Sequence, residues 1–217
     1  MGEIFDYKKA LKAFYQPSTK PGIIEVPEMT FIAVDGNGNP NNSEEYKLAV
    51  EMLYGLSYAI KMSKMSGRQP LGYYEYVVFP LEGLWWFEGD RPHAFDGLSL
   101  ADKDAFLWRM MIRQPEFVDE AVLEAAKAIL VKKKPDLDLS LAKLFTFQEG
   151  LCAQCMHIGP YDSEPVTIQA MSQLAKDQGY EHDLSATRRH HEIYLGDPRR
   201  TAPDKLKTVI RHPIRKV

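Results

Sequence analysis

The chain has 217 residues, 45% of them apolar, enough to bury one substantial core in a compact domain. Its 27 basic and 30 acidic residues leave a formal charge of −3, the opposite of what a phosphate backbone selects, so direct nucleic-acid binding is not expected. Residues 1–28 carry acids and lysines throughout and hold no apolar run of signal-peptide or membrane-span length, which points to a cytoplasmic protein outside the membrane.

Beyond that N-terminal extension, residues 29–217 read as one domain built on a weak internal duplication. MTFIAVDG (29–36) is an apolar strand; a helix enters near Ser43 with Leu48, Met52, Leu56 and Ile60 on one face and stops at Gly67 and Pro70. GYYEYVVF (72–79) and GLWWFE (83–88) read as a hairpin joined through Pro80, Leu81 and Glu82, completing a first β-α-β-β unit over about 29–88. The Gly-, Asp- and Pro-rich stretch from about 89 to 104 reads as a surface loop. AFLWRMMIR (105–113) alternates as a strand with Phe106, Trp108, Met110 and Ile112 on one side. A helix follows with Val118, Val122, Ala125 and Ile129 in its stripe and lysines 132–134 at its end, then a strand, LFTFQ (144–148).

The second unit, over about 150–213, opens with the strand LCAQCMHIG (151–159) and turns at Pro160, Tyr161 and Asp162. Its helix starts near Ser163 and carries Ile168, Met171, Leu174 and Ala175, with Gly179 at its C-terminal end. TRRHHEIYLGDP (187–198) and KLKTVIRH (205–212) form its hairpin. The three-residue offset of Cys152 and Cys155 in a strand puts the thiols on opposite faces, so CAQC reads as two free, reduced cysteines. The fold class is α+β: curved antiparallel sheets with helices on one face, leaving the other face for a ligand groove at the pseudo-twofold axis.

WWFEGD (85–90) aligns with EIYLGD (192–197) through Gly-Asp, matching Trp85 to Glu192 and Phe87 to Tyr194. Ile193 and Leu195 suit packing under helices, which sends Glu192 and Tyr194 to the trough side together with Trp85 and Phe87, whereas Trp86 suits the core beneath the helix. Tyr76 and Trp108 complete the expected ligand-binding set, because aromatic faces around a carboxylate hold a cation and a desolvated glutamate serves as an acid or base. Ion pairing of Glu192 with Arg188, Arg189 or Lys207 is the structural alternative. His190 shares the face of Glu192, but no second ligand set completes a metal site, and no P-loop, GxGxxG or GxSxG is present, so neither metal nor cofactor is expected.

HIGPYDSEPVTIQAM (157–171), HHEIYLGDPRR (190–200), PLEGLWWF (80–87) and MIRQPEFV (111–118) together resemble the GyrI-like small-molecule-binding family. The resemblance implies a groove lined by aromatics around a buried glutamate, which falls on Glu192, with Trp85 and Tyr161 at the matching aromatic positions. The short segment before residue 29 leaves no room for a helix-turn-helix, so the chain resembles stand-alone members akin to cyclopropanoid hydrolases. In that analogy Glu192 activates water, Tyr161 or Tyr194 polarises a conjugated carbonyl, and the partner is a planar aromatic or cationic small molecule. A non-catalytic sensor or sequestering protein, and a gyrase-inhibitor-like interaction protein, remain the alternatives.

Overall fold

Alternating apolar positions in long β-branched and aromatic runs favour a sheet, and the helical stripes supply its cover. The computed structural model describes residues 4–89 and 103–217, so most of the loop expected at about 89–104 lies outside the described residues. The elements are α1 (Tyr7–Ala10), α2 (Lys12–Tyr15), β1 (Gly22–Asn37), α3 (Glu44–Lys61), β2 (Leu81–Phe87), β3 (Phe106–Arg113), α4 (Glu120–Leu130), β4 (Lys143–Ile158), α5 (Glu164–Asp177), β5 (Tyr180–His182), β6 (His190–Tyr194) and β7 (Lys207–Lys216). Two β-α-β-β units are present, β1-α3-β2-β3 and β4-α5-β6-β7, the second with the short β5 between α5 and β6, and α4 lies between them; the first runs on to Arg113 instead of ending near residue 88, because β3, expected between the units, is its last strand. The fold is α+β, as the duplication implies.

Two segments depart from expectation. Residues 72–79 form no strand beyond a single bridge from Tyr76 to Phe5, and β2 pairs instead with β3 and β6. The rings of Tyr73, Tyr74 and Tyr76 pack on Phe117, burying apolar surface without a ladder. Conversely, LFTFQ and LCAQCMHI are one strand of 16 residues, β4. It bends at Gly150, where φ is 74°, and the alternation of its side chains reverses there: Phe145, Phe147 and Cys152 all belong to one apolar cluster.

The antiparallel order is β4-β1-β3-β2-β6-β7-β5, and β4 also pairs with β7, so six strands close into a ring. Register then fixes the faces. Val34, Met110, Gly83, Glu192, Ile210 and Cys155 form one row across six strands. At one end of this row α3 packs Met52, Leu53, Leu56 and Ile60 into the cluster of Val34 and Met110. At the other, α5 packs Ile168, Met171 and Ala175 onto Ile210 and Cys155. Each such side chain removes about 1.5–3 kcal/mol worth of apolar surface from water. Leu48, expected in the α3 stripe, is exposed, and Ala49 takes its place.

The neighbouring row, Ala33, Met111, Glu82, Ile193, Val209 and Met156, faces inward and is buried along its whole length. The face opposite α3 and α5 is thus folded inside the ring and is not available as a groove. Ile193 lies on this inner face, away from α3 and α5. Trp86 likewise lies off the helical core, against the inner cluster of Leu84 and Met111 with the Arg189 guanidinium over its ring.

The inner face also holds a polar knot. His191, fully buried, lies 3.0 Å from Glu82 and 3.0 Å from Glu149; Arg211 reaches Glu149 at 3.4 Å and Gln154 at 3.1 Å. Residues 13–15 form a strap across it: the Ala13 and Phe14 carbonyls accept from Gln154 and Arg211, and the Tyr15 hydroxyl donates to Glu82. Burial pushes the His191 pKa down, but the charges of Glu149 and Glu82 and their hydrogen bonds prevail and raise it to about 9. Burial pushes Glu149 up, but His191 and Arg211 bring it down to about 2.

The His191 contribution is complete below its ordinary 6.5 and is lost as pH rises through about 9; that of Glu149 is complete above its ordinary 4.5 and is lost as pH falls through about 2. Thermal unfolding followed by circular dichroism is expected to show greatest stability between these ordinary values, with roughly 3 kcal/mol lost on the alkaline side. A His191→Gln variant, whatever its absolute stability, should lack that alkaline decline.

Candidate ligand cavity and acid–base centre

The row shared by both helices is left uncovered at its middle, over Gly83 and Glu192, because α3 and α5 cover only its two ends. Here lies a cavity of about 970 Å³, room enough for a drug-sized molecule. Its far wall is α3 itself. Tyr46, Val50, Tyr54 and Tyr58 recur every fourth residue and line the cavity, on the flank next to the stripe that α3 buries against the sheet. The trough therefore lies on the helix-bearing face, which corrects the expectation of a groove on the free face.

The floor comes from β2 and β6. The Trp85 indole donates to the Tyr194 hydroxyl at 2.9 Å, stacks near Tyr46 at 6.2 Å and meets Phe106 edge-on at 5.4 Å. This crossing needs Gly83. A Cβ there would stand 2.7 Å from Trp85 Nε1 and 3.2 Å from the Tyr194 hydroxyl. Tyr161 closes the side, its ring edge-on to Tyr194 at 6.0 Å. The turn that carries it is pinned by His157, whose ring bonds Thr167 at 2.8 Å and Ser163 at 3.1 Å.

Beside Glu192 stands a residue that the sequence reading did not single out, Glu164, the first residue of α5. Pro165, in the first turn, fixes where that helix begins, and the Glu164 side chain is buried in the cavity wall. Burial, then the charge of Glu192 and a hydrogen bond to it, raise the Glu164 pKa well above the carboxylate range. Glu192 goes the other way. Burial alone would raise it, but the hydrogen bond and electrostatic pull of His190, with hydrogen bonds from Tyr194 and Glu164, lower it. The pair holds a proton on Glu164 and a negative charge on Glu192, two carboxyl groups split into acid and base by their surroundings. The second Glu164 oxygen, Oε1, is buried without a hydrogen-bond partner among the described residues, a position for a polar atom of water or ligand. The tyrosines remain protonated donors: burial, with the charge of Glu192, pushes Tyr161 up to about 12 and Tyr194 and Tyr46 well above their ordinary value.

Glu164, His190 and Glu192 bring ligand-type atoms within 4.8 Å of one another. His190 Nε2 and Glu192 Oε1, however, are 2.7 Å apart, a hydrogen bond. Donors sharing one tetrahedral ion at about 2 Å stand about 3.3 Å apart. As arranged, the three form an acid–base cluster. Cys152 and Cys155 lie in separate clusters on opposite faces, both buried, and burial raises both thiols, Cys155 to about 11.

Of the expected site residues, Glu192, Tyr161, Trp85 and Tyr194 line the cavity. Tyr76, Phe87 and Trp108 do not. Tyr76 is buried among Tyr73, Tyr74 and Phe117; Phe87 lies one pleat beyond Trp85 and packs on Phe106; Trp108 lies fully buried behind Tyr46, its ring over Gly36. Glu192 is paired with His190 and Glu164, while Arg188 bonds Asp183 and the carbonyls of Glu149 and Leu151. Among the described residues, rim cations are matched to rim acids, Lys103 to Asp162 and Arg199 to Asp197, and Glu192 is held by His190, Tyr194 and Glu164.

Residues 116–215 match the model of the GyrI-like small molecule binding domain. Three solved structures from Listeria innocua are similar over nearly the whole chain. One hydrolase is 46% identical at a TM-score of 0.87, covering 97% of this chain and 100% of its own. A second is 48% identical at 0.89, covering 98% and 100%. An uncharacterized conserved protein is 50% identical at 0.89, covering 97% and 100%. Among curated proteins none matches the chain.

A methyl group at Gly83 must push the Trp85 indole off the Tyr194 hydroxyl. Gly83→Ala is expected to cost about 1–3 kcal/mol of stability by overpacking. It should also shift tryptophan emission, which reports the broken contact directly.

Proposed function

Because the chain belongs to the GyrI-like small-molecule-binding family, we propose that its cavity takes up planar, electron-poor or cationic xenobiotic-like molecules and hydrolyses reactive cyclopropanoid compounds. The observation that carries this reading is the Glu164–Glu192 pair, acid beside base, in the floor of an aromatic cavity. The names of two close relatives as hydrolases agree with it.

A flat, conjugated substrate lies between Trp85 and the α3 tyrosines, where burial strengthens every polar contact. Glu192 removes a proton from water, and the hydroxide attacks a carbon of the strained three-membered ring. The ring C–C bond breaks, and its electron pair moves to the conjugated carbonyl, whose oxygen a tyrosine hydroxyl, Tyr161 or Tyr194, stabilises. The product gains OH at carbon, and the oxygen takes up the balancing proton, which Glu164 is placed to donate. Glu192, protonated in the first step, then gives up its proton, and Glu164 regains one from solvent as product leaves, so the pair returns to its starting state.

Ring-opened product formed from a cyclopropane-bearing alkylator tests the reading. Glu192→Gln is expected to lower kcat by about 10²- to 10⁴-fold with little change in KM, since the amide keeps shape but cannot act as a base. Equal rates in the two proteins would remove Glu192 from the mechanism.

The Glu192 carboxylate on an aromatic floor also favours a second reading, sequestration of aromatic cations without turnover. Under it, a rhodamine dye quenches Trp85 fluorescence, is recovered unaltered, and binds more weakly to Glu192→Gln by a factor that shrinks for neutral dyes. Failure of cationic dyes to bind would dispose of it.

A further inference from the structure

His190 does more than touch Glu192. Its other ring nitrogen, Nδ1, lies 2.6 Å from His212 Nε2, and His212 Nδ1 lies 3.2 Å from Nδ1 of His182. His182 Nε2 in turn lies 3.4 Å from Ser172 Oγ on α5. The rings meet edge to face, with centroids 4.9 and 4.6 Å apart. His190 and His212 are fully buried, whereas His182, on the edge strand β5, is partly exposed. Three imidazoles thus run in one file beneath α5, from the cavity floor to the sheet edge. Nothing in the ligand-binding reading calls for such a file, and buried imidazoles without a function would be costly to keep hydrogen-bonded.

We propose that His190, His212 and His182 form a proton relay that connects Glu192 with solvent on the far side of α5. The proposal rests on the acid–base reading of Glu192 given above. A neutral imidazole carries one N–H and one acceptor nitrogen, so the file has two self-consistent arrangements. In the first, every N–H points toward the cavity: His182 Nδ1–H to His212 Nδ1, His212 Nε2–H to His190 Nδ1, and His190 Nε2–H to an ionised Glu192. In the second, every N–H points away and a protonated Glu192 donates to His190 Nε2.

A proton arriving at His182 Nε2 converts the first arrangement into the second. His182 gives up its Nδ1 proton to His212, His212 its Nε2 proton to His190, and His190 its Nε2 proton to Glu192. One proton enters, one is delivered, and no ring is left charged. The reverse passage discharges the proton that Glu192 takes from water during hydrolysis, without a route through the occupied cavity. Burial, with His190 and His182 alongside, holds His212 well below the ordinary imidazole range, consistent with a ring that passes protons while staying neutral. His212 and His182 touch no substrate and act only through His190 and Glu192.

Two measurements on the full chain test this. Nitrogen-15 spectra of the histidine rings at neutral pH should show protons on Nε2 of His190 and His212 and on Nδ1 of His182. A file interrupted at any ring, or a ring protonated on both nitrogens, overturns the relay. For the second, His182→Gln changes a partly exposed side chain that the fold can spare, and near-ultraviolet circular dichroism confirms its packing. Its kcat on the cyclopropane-bearing substrate is expected to fall at least about tenfold, with KM unchanged and the rate partly restored by added imidazole. A kcat equal to that of the parent protein refutes the relay. If the parent protein itself shows no turnover, the hydrolytic reading fails, and the ring spectra alone decide whether the file is continuous.

Discussion

β4 is hydrogen-bonded along both edges, to β1 on one side and to β7 on the other, and the remaining architecture follows from that double pairing. An open sheet of two β-α-β-β units would offer a bare face to solvent. Closure removes it: the row through Met111, Glu82 and Ile193 becomes an interior, and both helices are left on the outer surface. The pseudo-twofold relation places β2 beside β6, in the stretch of the ring between the strands that α3 and α5 cover. The gap between helices and the seam between repeats therefore coincide, and the cavity forms where the two units meet.

Neighbouring residues have opposite fates at this seam. His190 and His191 are consecutive in β6, so they leave the strand on opposite faces. His191 turns inward, is clasped by Glu82 and Glu149, and serves stability. His190 turns outward and is bonded to Glu192 in the cavity floor. The two sets of charges do not mix, because the sheet itself separates them. Glu164 joins the outer set from α5, and its burial against Glu192 turns two ordinary carboxyls into unlike groups. Helix and strand of the pair come from the same repeat and are held together by the packing of Ile168 and Met171 on Ile210.

Much of this was legible in the sequence. The α+β class, a duplication though not the bounds of its first copy, the helix starts at Ser43 and Ser163, and the shared face of Glu192, Tyr194 and Trp85 are periodicity and turn chemistry read locally. What escaped has physical reasons. Ring closure joins β4 to β1 across more than a hundred positions and to β7 across about fifty to sixty, and no local pattern reports that β4 pairs twice. The aromatic density of residues 72–79 mimics strand propensity, yet the rings of Tyr73, Tyr74 and Tyr76 satisfy one another without a ladder. The α3 tyrosines could have been found, since Tyr46, Val50, Tyr54 and Tyr58 recur at four-residue spacing beside the buried stripe. Glu164 could not: an acid in the first turn of a helix ordinarily serves the helix, and only the coordinates put it against a second carboxylate.

The strap across the polar knot ties distant parts of the chain. Arg211 donates to the carbonyl of Phe14, 197 residues upstream, and Gln154 to that of Ala13. During synthesis those carbonyls emerge early, whereas the guanidinium they must satisfy emerges with the last strand. Until then Glu149 and His191 lack part of their cage, so neither repeat is expected to settle alone as a half-barrel. Assembly waits for the whole polypeptide and then proceeds in one cooperative step, the slow regime of a fold governed by long-range contacts.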